Sequence, residues 1–230
     1  MQSILVTGAA RGFGHALVLA FLKRHWETIA LVRKAVDVQG LSKRGVTVIE
    51  ADLATEHAET TISEVLHRRN SPLDVIINNA GNIVKSRGFA NNRETDLTDL
   101  FQVHVVGTFR VVRACLPFLL QAPCPTIVNI SSRKGSIERT AAGDFGGIYS
   151  YPIAKAGLNM LSSCLDAEFR TRGLRCLAVH PGGLKTDVAP PDADTEPETA
   201  AEKLADWLET INSDTPTGLH DLMADRLIPW

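Results

Sequence analysis

The chain has 230 residues, about one and a half typical domains, which favours one large domain whose core needs no disulfide or structural metal. Lys+Arg 24 against Asp+Glu 26 leaves a net charge of -2, so there is no overall electrostatic case for nucleic acid or an anionic membrane. With 44% hydrophobic residues and so small a net charge, disorder is excluded as the main state. Met1-Gln2-Ser3 runs straight into Ile4-Leu5-Val6, without the charged segment and cleavage site of a signal peptide. Short β-branched apolar runs then alternate with helical patterns. Strands are expected at 3–7, 28–32, 46–50, 75–78, 126–130 and 175–180, and helices at about 12–25, 55–69, 95–120 and 151–171. Strands that are continuous apolar runs suit a parallel sheet covered on both faces, and the βαβαβ order gives a doubly wound α/β fold. After Thr186 there is room for a helix at about 198–211 and a final edge strand.

Two stretches stand outside this alternation. Residues 133–147 read as a Gly- and Ala-containing loop, and residues 188–199 as a Pro- and acid-rich mobile surface segment. Cys115, Cys124, Cys164 and Cys176 are scattered with no C-x-x-C pair, so they are expected to be small hydrophobes in a reducing compartment, with no metal site. No apolar run approaches the ~20 residues that span a bilayer, and a cytoplasmic protein is expected.

Ligands in doubly wound sheets bind beyond the carboxyl ends of the strands, so the residues just after each strand carry the functional reading. The first strand ends in Thr7-Gly8-Ala9-Ala10-Arg11-Gly12-Phe13-Gly14, followed by a helix. Glycines there allow backbone N–H groups to approach a diphosphate, and the helix turns its positive end toward that charge. The pattern T-G-x-x-x-G-x-G resembles the signature of the short-chain dehydrogenase/reductase family. Further motifs follow in that family's order: Asp52-Leu53, Asn78-Asn79-Ala80-Gly81, Ser132, Tyr151-x-x-x-Lys155, Pro181-Gly182 and Thr186. The resemblance implies a single Rossmann-type domain over 1–230, with a substrate loop at about 183–200. It also implies an oxidoreductase that interconverts a ketone or aldehyde and an alcohol by hydride transfer. Thr7, Gly8, Arg11, Gly12, Phe13 and Gly14 would hold the dinucleotide together with Arg33, Asp52, Leu53, Asn79, Ala80 and Gly81. Tyr151, Lys155, Pro181, Gly182, Leu184 and Thr186 would complete that set.

The second strand ends in Val32-Arg33-Lys34, where a carboxylate would bind the ribose 2′-hydroxyl of NAD. Arg33 there and Arg11 in the glycine loop instead suit the 2′-phosphate of NADP, so NADP(H) is favoured and NAD(H) remains the alternative.

Tyr151 and Lys155, four apart on a helix, share a face, and a nearby ammonium should lower the tyrosine pKa toward useful values. The resemblance makes Tyr151 the proton donor, Lys155 the group that holds the ribose, and Ser132 the hydroxyl that binds the substrate oxygen. Tyr149, lacking a lysine four residues on, is expected to pack or line the pocket, and Ser132 is preferred to Ser131. His104 stands where many family members place an Asn that completes a water relay. It can preserve that relay, weaken it, or titrate near neutral pH.

The long 133–147 loop, Gly135-Ser136-Ile137, His180-Pro181-Gly182 and Ile228-Pro229-Trp230 resemble a subgroup of small carbonyl reductases that includes C-factor-like proteins. Ile83, Phe89, Ile137, Phe145, Tyr149 and Leu184 are expected to line an apolar pocket, with Lys85, Arg87 and Arg133 as solvated loop charges. A modest-sized apolar ketone or aldehyde is the expected substrate, with 188–199 as a short lid. The family implies a homodimer or homotetramer through the helices at 95–120 and 151–171. The rival reading is a nucleotide-binding regulatory or signalling protein with little turnover, for which His104 speaks and Ser132, Tyr151 and Lys155 speak against.

Overall fold

The computed structural model describes residues 1–84, 87–186 and 193–230. Lys85 and 187–192 lie outside the described residues, and so does the first part, 188–192, of the lid expected at 188–199. The strands are β1 (Ser3–Thr7), β2 (Glu27–Val32), β3 (Thr47–Glu50), β4 (Val75–Asn78), β5 (Thr126–Ile130), β6 (Arg175–His180), β7 (Leu219–Asp221) and β8 (Arg226–Ile228). They form one sheet in the order β3-β2-β1-β4-β5-β6-β7-β8. Neighbours are parallel except β8, which turns back antiparallel on β7.

The helices are α1 (Gly12–Lys23), α2 (Gln39–Ser42), α3 (His57–Arg69), α4 (Glu94–Phe101), α5 (Thr108–Leu119), α6 (Ile137–Ala141), α7 (Ser150–Phe169) and α8 (Pro197–Leu208). Every residue of β1, β4, β5 and β6 is buried, as expected of a sheet covered on both faces. Ile4 and Val6 face one layer with Phe13, Leu17 and Phe21 of α1 and Leu204 and Leu208 of α8. Leu5 faces the other, where it joins Ile29, Ile76, Ile127 and Cys176 in a row across five registered strands, beneath Leu66, Val111 and Phe118. Strand order reverses between β1 and β4, and the crevice beyond their carboxyl ends is the binding position the topology provides.

Four expectations are corrected. The helix expected at 95–120 is present but not α-helical throughout: a π turn, Gln102–Gly107, lies between α4 and α5 without ending it. The loop at 133–147 contains a short 3₁₀ turn and α6, because Ser136 caps α6 by accepting a hydrogen bond from the Arg139 amide. The surface segment expected to reach 199 is already helical at Pro197, a residue preset for a first helical turn. The final edge strand is a hairpin pair, β7 and β8.

Candidate active site

Thr7 closes β1 and joins the two halves of the crevice. Its hydroxyl oxygen accepts hydrogen bonds from the amides of Asn79 (3.0 Å) and Ala80 (2.9 Å), while Asn79 Nδ2 donates to the Thr7 carbonyl at 2.9 Å. The N-N-A-G stretch after β4 is thereby tied to the glycine loop after β1. Gly8 has φ +67, and a Cβ on it would stand 2.8 Å from the Ala80 Cα. A Cβ on Gly14 would overlap the Gly8 carbonyl oxygen. The glycines therefore let helix, loop and N-N-A-G segment approach within backbone contact, leaving a shallow cradle at the N-terminus of α1. Exposed Gly12 lies on its surface, and Thr186 Cγ2 would be 3.5 Å from a Cβ there, which brings the segment after β6 over the same cradle. Such a cradle, with bare backbone and a helix N-terminus, fits a diphosphate.

Phe13 is buried behind this loop in the α1 layer, so its part is to seat the helix. Arg11, the residue before α1, and Arg33, just past β2, are both exposed. Their strands are neighbours, and the Ala9 amide donates to the Leu31 carbonyl at 3.3 Å, so both arginines stand at the same end of the sheet. Exposed Asp52 accepts the Ala54 amide at 3.0 Å, and Leu53 is buried beside it. Arg110 Nη1 donates to the Leu53 carbonyl at 2.9 Å, stitching this loop to α5. Leu184 pairs with Thr195 in an isolated bridge, and the Asp194 and Thr195 amides donate to the Gly183 carbonyl at 3.0 and 2.9 Å. Buried Pro181 and half-buried Gly182 open this segment, whose two ends are pinned together at 183–185 and 194–196.

Ser132, Tyr151 and Lys155 meet beyond β5. Ser132 accepts the Lys134 amide at 3.2 Å, and its side chain stands beside the Tyr151 phenol. The Lys155 ammonium lies 5.6 Å from the centre of the Tyr151 ring and donates to the Ile130 carbonyl at 2.7 Å. Burial pushes Tyr151 up to about 12, and the Ser132 bond only partly counters it. Burial also brings Lys155 down to about 7. The expected lowering of the tyrosine is thus corrected in this arrangement: desolvation of the phenol raises it instead.

Ser131 turns away from this group and donates to Asn159 Oδ1 at 2.5 Å, and Asn159 Nδ2 donates to the Gly135 carbonyl at 3.1 Å. Asn159 was missed in the sequence, although 151, 155 and 159 at steps of four put it on the same helix face. It clamps α7 to the loop that carries Ser132. Below it, Asn78 donates to Asn129 and Asn129 to Ser162, both at 2.8 Å, a buried chain joining β4, β5 and α7.

His104 stands in the π turn, buried, with Nε2 2.9 Å from the Asn82 carbonyl oxygen and its ring against Tyr151. Burial, then the charge of Lys155, lowers its pKa to about 3, so the titration near neutral pH is excluded. The residues expected to form the pocket wall differ in exposure. Phe89 is 78% exposed and meets the Tyr149 ring edge to face at 5.5 Å, and Ile137 is 69% exposed. Ile83, Phe145 and Leu184 are half-buried, with Arg139 over the Phe145 ring. Arg87 and Arg133 are exposed.

Cys115 and Cys176 are buried as expected, while Cys124 and Cys164 are exposed, and all four are unpaired. No described helix is long and apolar enough to cross a membrane.

A parallel sheet with a glycine cradle at its switch point defines a dinucleotide-binding α/β protein. The short chain dehydrogenase family model matches residues 2–197, and the chain belongs to that family; by class it is an oxidoreductase. It is 30% identical over 159 residues to the C-signal protein of Myxococcus xanthus, covering 69% of this chain and 93% of that one. Its fold is similar to the carbonyl reductase Sniffer of D. melanogaster, with TM-score 0.90 and 25% identity over 100% of both chains. It is similar also to an NADPH-bound carbonyl reductase from chicken fatty liver, with TM-score 0.85 and 25% identity over 100% of this chain and 99% of that one.

Proposed function

We propose that this chain is an NADP(H)-dependent carbonyl reductase of small apolar ketones or aldehydes. The observation that carries the reading is the buried Lys155 ammonium against the Tyr151 ring on α7, with Ser132 beside them at the end of β5, next to a glycine cradle that fits a diphosphate. When bound, the nicotinamide supplies the hydride that goes to the carbonyl carbon. Ser132 holds the carbonyl oxygen, and Tyr151 passes it the phenolic proton, so that hydride and proton together make the alcohol. Lys155 holds the nicotinamide ribose. Gly8, Gly12 and Gly14 admit the diphosphate, and Arg11 and Arg33 pair with the 2′-phosphate. The remaining cofactor contacts would come from Asp52 and Leu53 at the adenine, Asn79, Ala80 and Gly81 at the ribose, and Pro181, Gly182, Leu184 and Thr186 at the nicotinamide side.

Phe89, Ile137 and Tyr149 supply an apolar mouth, and 183–200 serves as the substrate loop of a single 1–230 domain. Free thiols suit a reducing cytoplasm. Exposed Phe101, Phe109, Ile153 and Met160 on α4, α5 and α7 suit a homodimer or homotetramer through these helices.

The test is oxidation of NADPH and of NADH with a panel of ketones and aldehydes. Turnover with NADPH, lost in Tyr151→Phe while NADPH still binds, is expected. Replacing Arg11 and Arg33 with Ala should raise the KM for NADPH about tenfold or more and leave NADH unaffected. NADPH binding with no turnover across the panel would favour the regulatory reading instead.

A further inference from the structure

The imidazole of His104 is buried and held at one nitrogen by the backbone. It lies in the π turn Gln102–Gly107, where the long helix passes over the loop after β4, and it is 2% exposed. Its Nε2 faces the Asn82 carbonyl oxygen at 2.9 Å. A carbonyl accepts only, so Nε2 carries the proton and Nδ1 is the bare acceptor. Nδ1 is buried and meets no hydrogen-bond partner among the described residues. One nitrogen therefore fixes the ring to the backbone through the Asn82 carbonyl.

What the ring does meet is Tyr151. The two ring centres are 5.7 Å apart and the planes stand at 85°, an edge-to-face contact. Gly81 makes the seat for the imidazole: a Cβ there would overlap Cε1 and lie 2.9 Å from Nδ1. The groups that face the imidazole are the Lys155 ammonium and the Tyr151 phenol, and burial together with that ammonium keeps the ring neutral.

We propose that His104 is a positioning residue: locked by the Asn82 carbonyl and seated over Gly81, its ring props the Tyr151 ring edge to face and sets where the phenolic oxygen stands. The proposal rests on the reading of Tyr151 as the proton donor. A displacement of about 1 Å at a reacting group can cost about 100-fold in rate, so a ring contact of this kind is enough to govern turnover.

Three variants separate the ring from its hydrogen bond. His104→Phe keeps a ring and loses the N–H; His104→Gln keeps an N–H for Asn82 and loses the ring; His104→Ala loses both. Two readouts are taken: kcat and KM for carbonyl reduction, and the ring signals of ¹³C-tyrosine protein without cofactor. With Tyr 2 in the whole chain, Tyr151→Phe assigns the pair at once.

Expected is His104→Phe within about threefold of the parent kcat, with His104→Gln and His104→Ala down about 10- to 100-fold at nearly unchanged KM. The Tyr151 signals should move in Gln and Ala and stay in Phe, with those of Tyr149 unmoved. Parent-like turnover of His104→Gln beside an inactive, folded His104→Phe would overturn the proposal in favour of a hydrogen-bonding role. So would Tyr151 signals that do not move in His104→Ala. If His104→Phe fails to fold, equal losses in Gln and Ala support the ring, and restoration in Gln overturns it. If the parent protein reduces no carbonyl, the proposed function fails, and the NMR signals still decide whether the ring is held.

Discussion

Tyr151 and Lys155 are both withdrawn from water, and burial moves them in opposite senses, the phenol to about 12 and the ammonium to about 7. A tyrosine held that high keeps its proton, which suits an acid and not a base. Reduction of a carbonyl should accordingly show no loss from Tyr151 ionisation up to about pH 9, whereas alcohol oxidation, which needs the phenolate, should rise with pH. Rate profiles in both directions check this, and a reduction rate falling above pH 8 would place the tyrosine pKa far lower. Gly14 is a second residue where magnitudes decide. Ala in place of Gly gains about 1 kcal/mol inside a helix, but here its Cβ would run into the Gly8 carbonyl and lie 2.5 Å from Asn79 Nδ2. Overlap with backbone outweighs propensity, so Gly14→Ala should weaken NADPH binding about tenfold or more and lower the Tm, as calorimetry with and without cofactor would show. The residues of these motifs were legible in the sequence because most lie just after a strand, and Tyr151 and Lys155 fall four apart on one helix. The sign of the Tyr151 shift was not, since it depends on how much chain from other elements covers the ring.

At the scale of elements, what holds the site in place comes largely from residues the motifs do not include. Asn159 ties α7 to the Ser132 loop, and at the far end of the same helix Asp166 ties α7 to β6. Asp166 is fully buried, and it accepts the Cys176 amide at 2.9 Å, Arg175 Nε at 3.1 Å and the Thr217 hydroxyl at 2.5 Å, with Arg170 adding a further bond. Arg175 in turn donates to the carbonyls of Asn212, Ser213 and Thr215, which fastens the connection from α8 to β7. Removing the carboxylate would strand the buried guanidinium, a loss of about 3–5 kcal/mol. Asp166→Ala should lower the Tm by roughly 10 °C and, at temperatures where it stays folded, leave the KM for NADPH unchanged. The cluster sits at the amino end of β6 while the cradle lies beyond the carboxyl ends, so a large rise in that KM would contradict the separation. The first six strands were legible because each is a largely apolar run. The π turn, α6 and the β7–β8 hairpin were not: β7 and β8 are three residues each, too short for a periodicity, and the π turn differs from the helix around it only in how its carbonyls pair.

For the molecule as a whole, two histidines are kept neutral by the fold. His104 falls to about 3, and His180 to about 4, chiefly through burial, with Arg133 and Arg139 adding to the effect and Asp221 opposing it. Both have a folded pKa below the unfolded value near 6.5. Between those values the unfolded chain binds more protons, so stability is complete above about pH 6.5 and declines as pH falls toward 4. At pH 4.5 each costs about 2–3 kcal/mol, and the Tm should be lower than at pH 7 by on the order of 10 °C. His180→Asn should flatten part of that slope, and a Tm independent of pH over the interval would refute the burial of these rings. The sequence by itself determined the doubly wound class, the order of the motifs and the identity of the chemical groups, because local periodicity and the steric demands of glycine are written residue by residue. Only the tertiary structure decided their state. Burial, the partner of each buried donor and the ring over Gly81 all come from segments distant in the chain, and desolvation depends on all of them together.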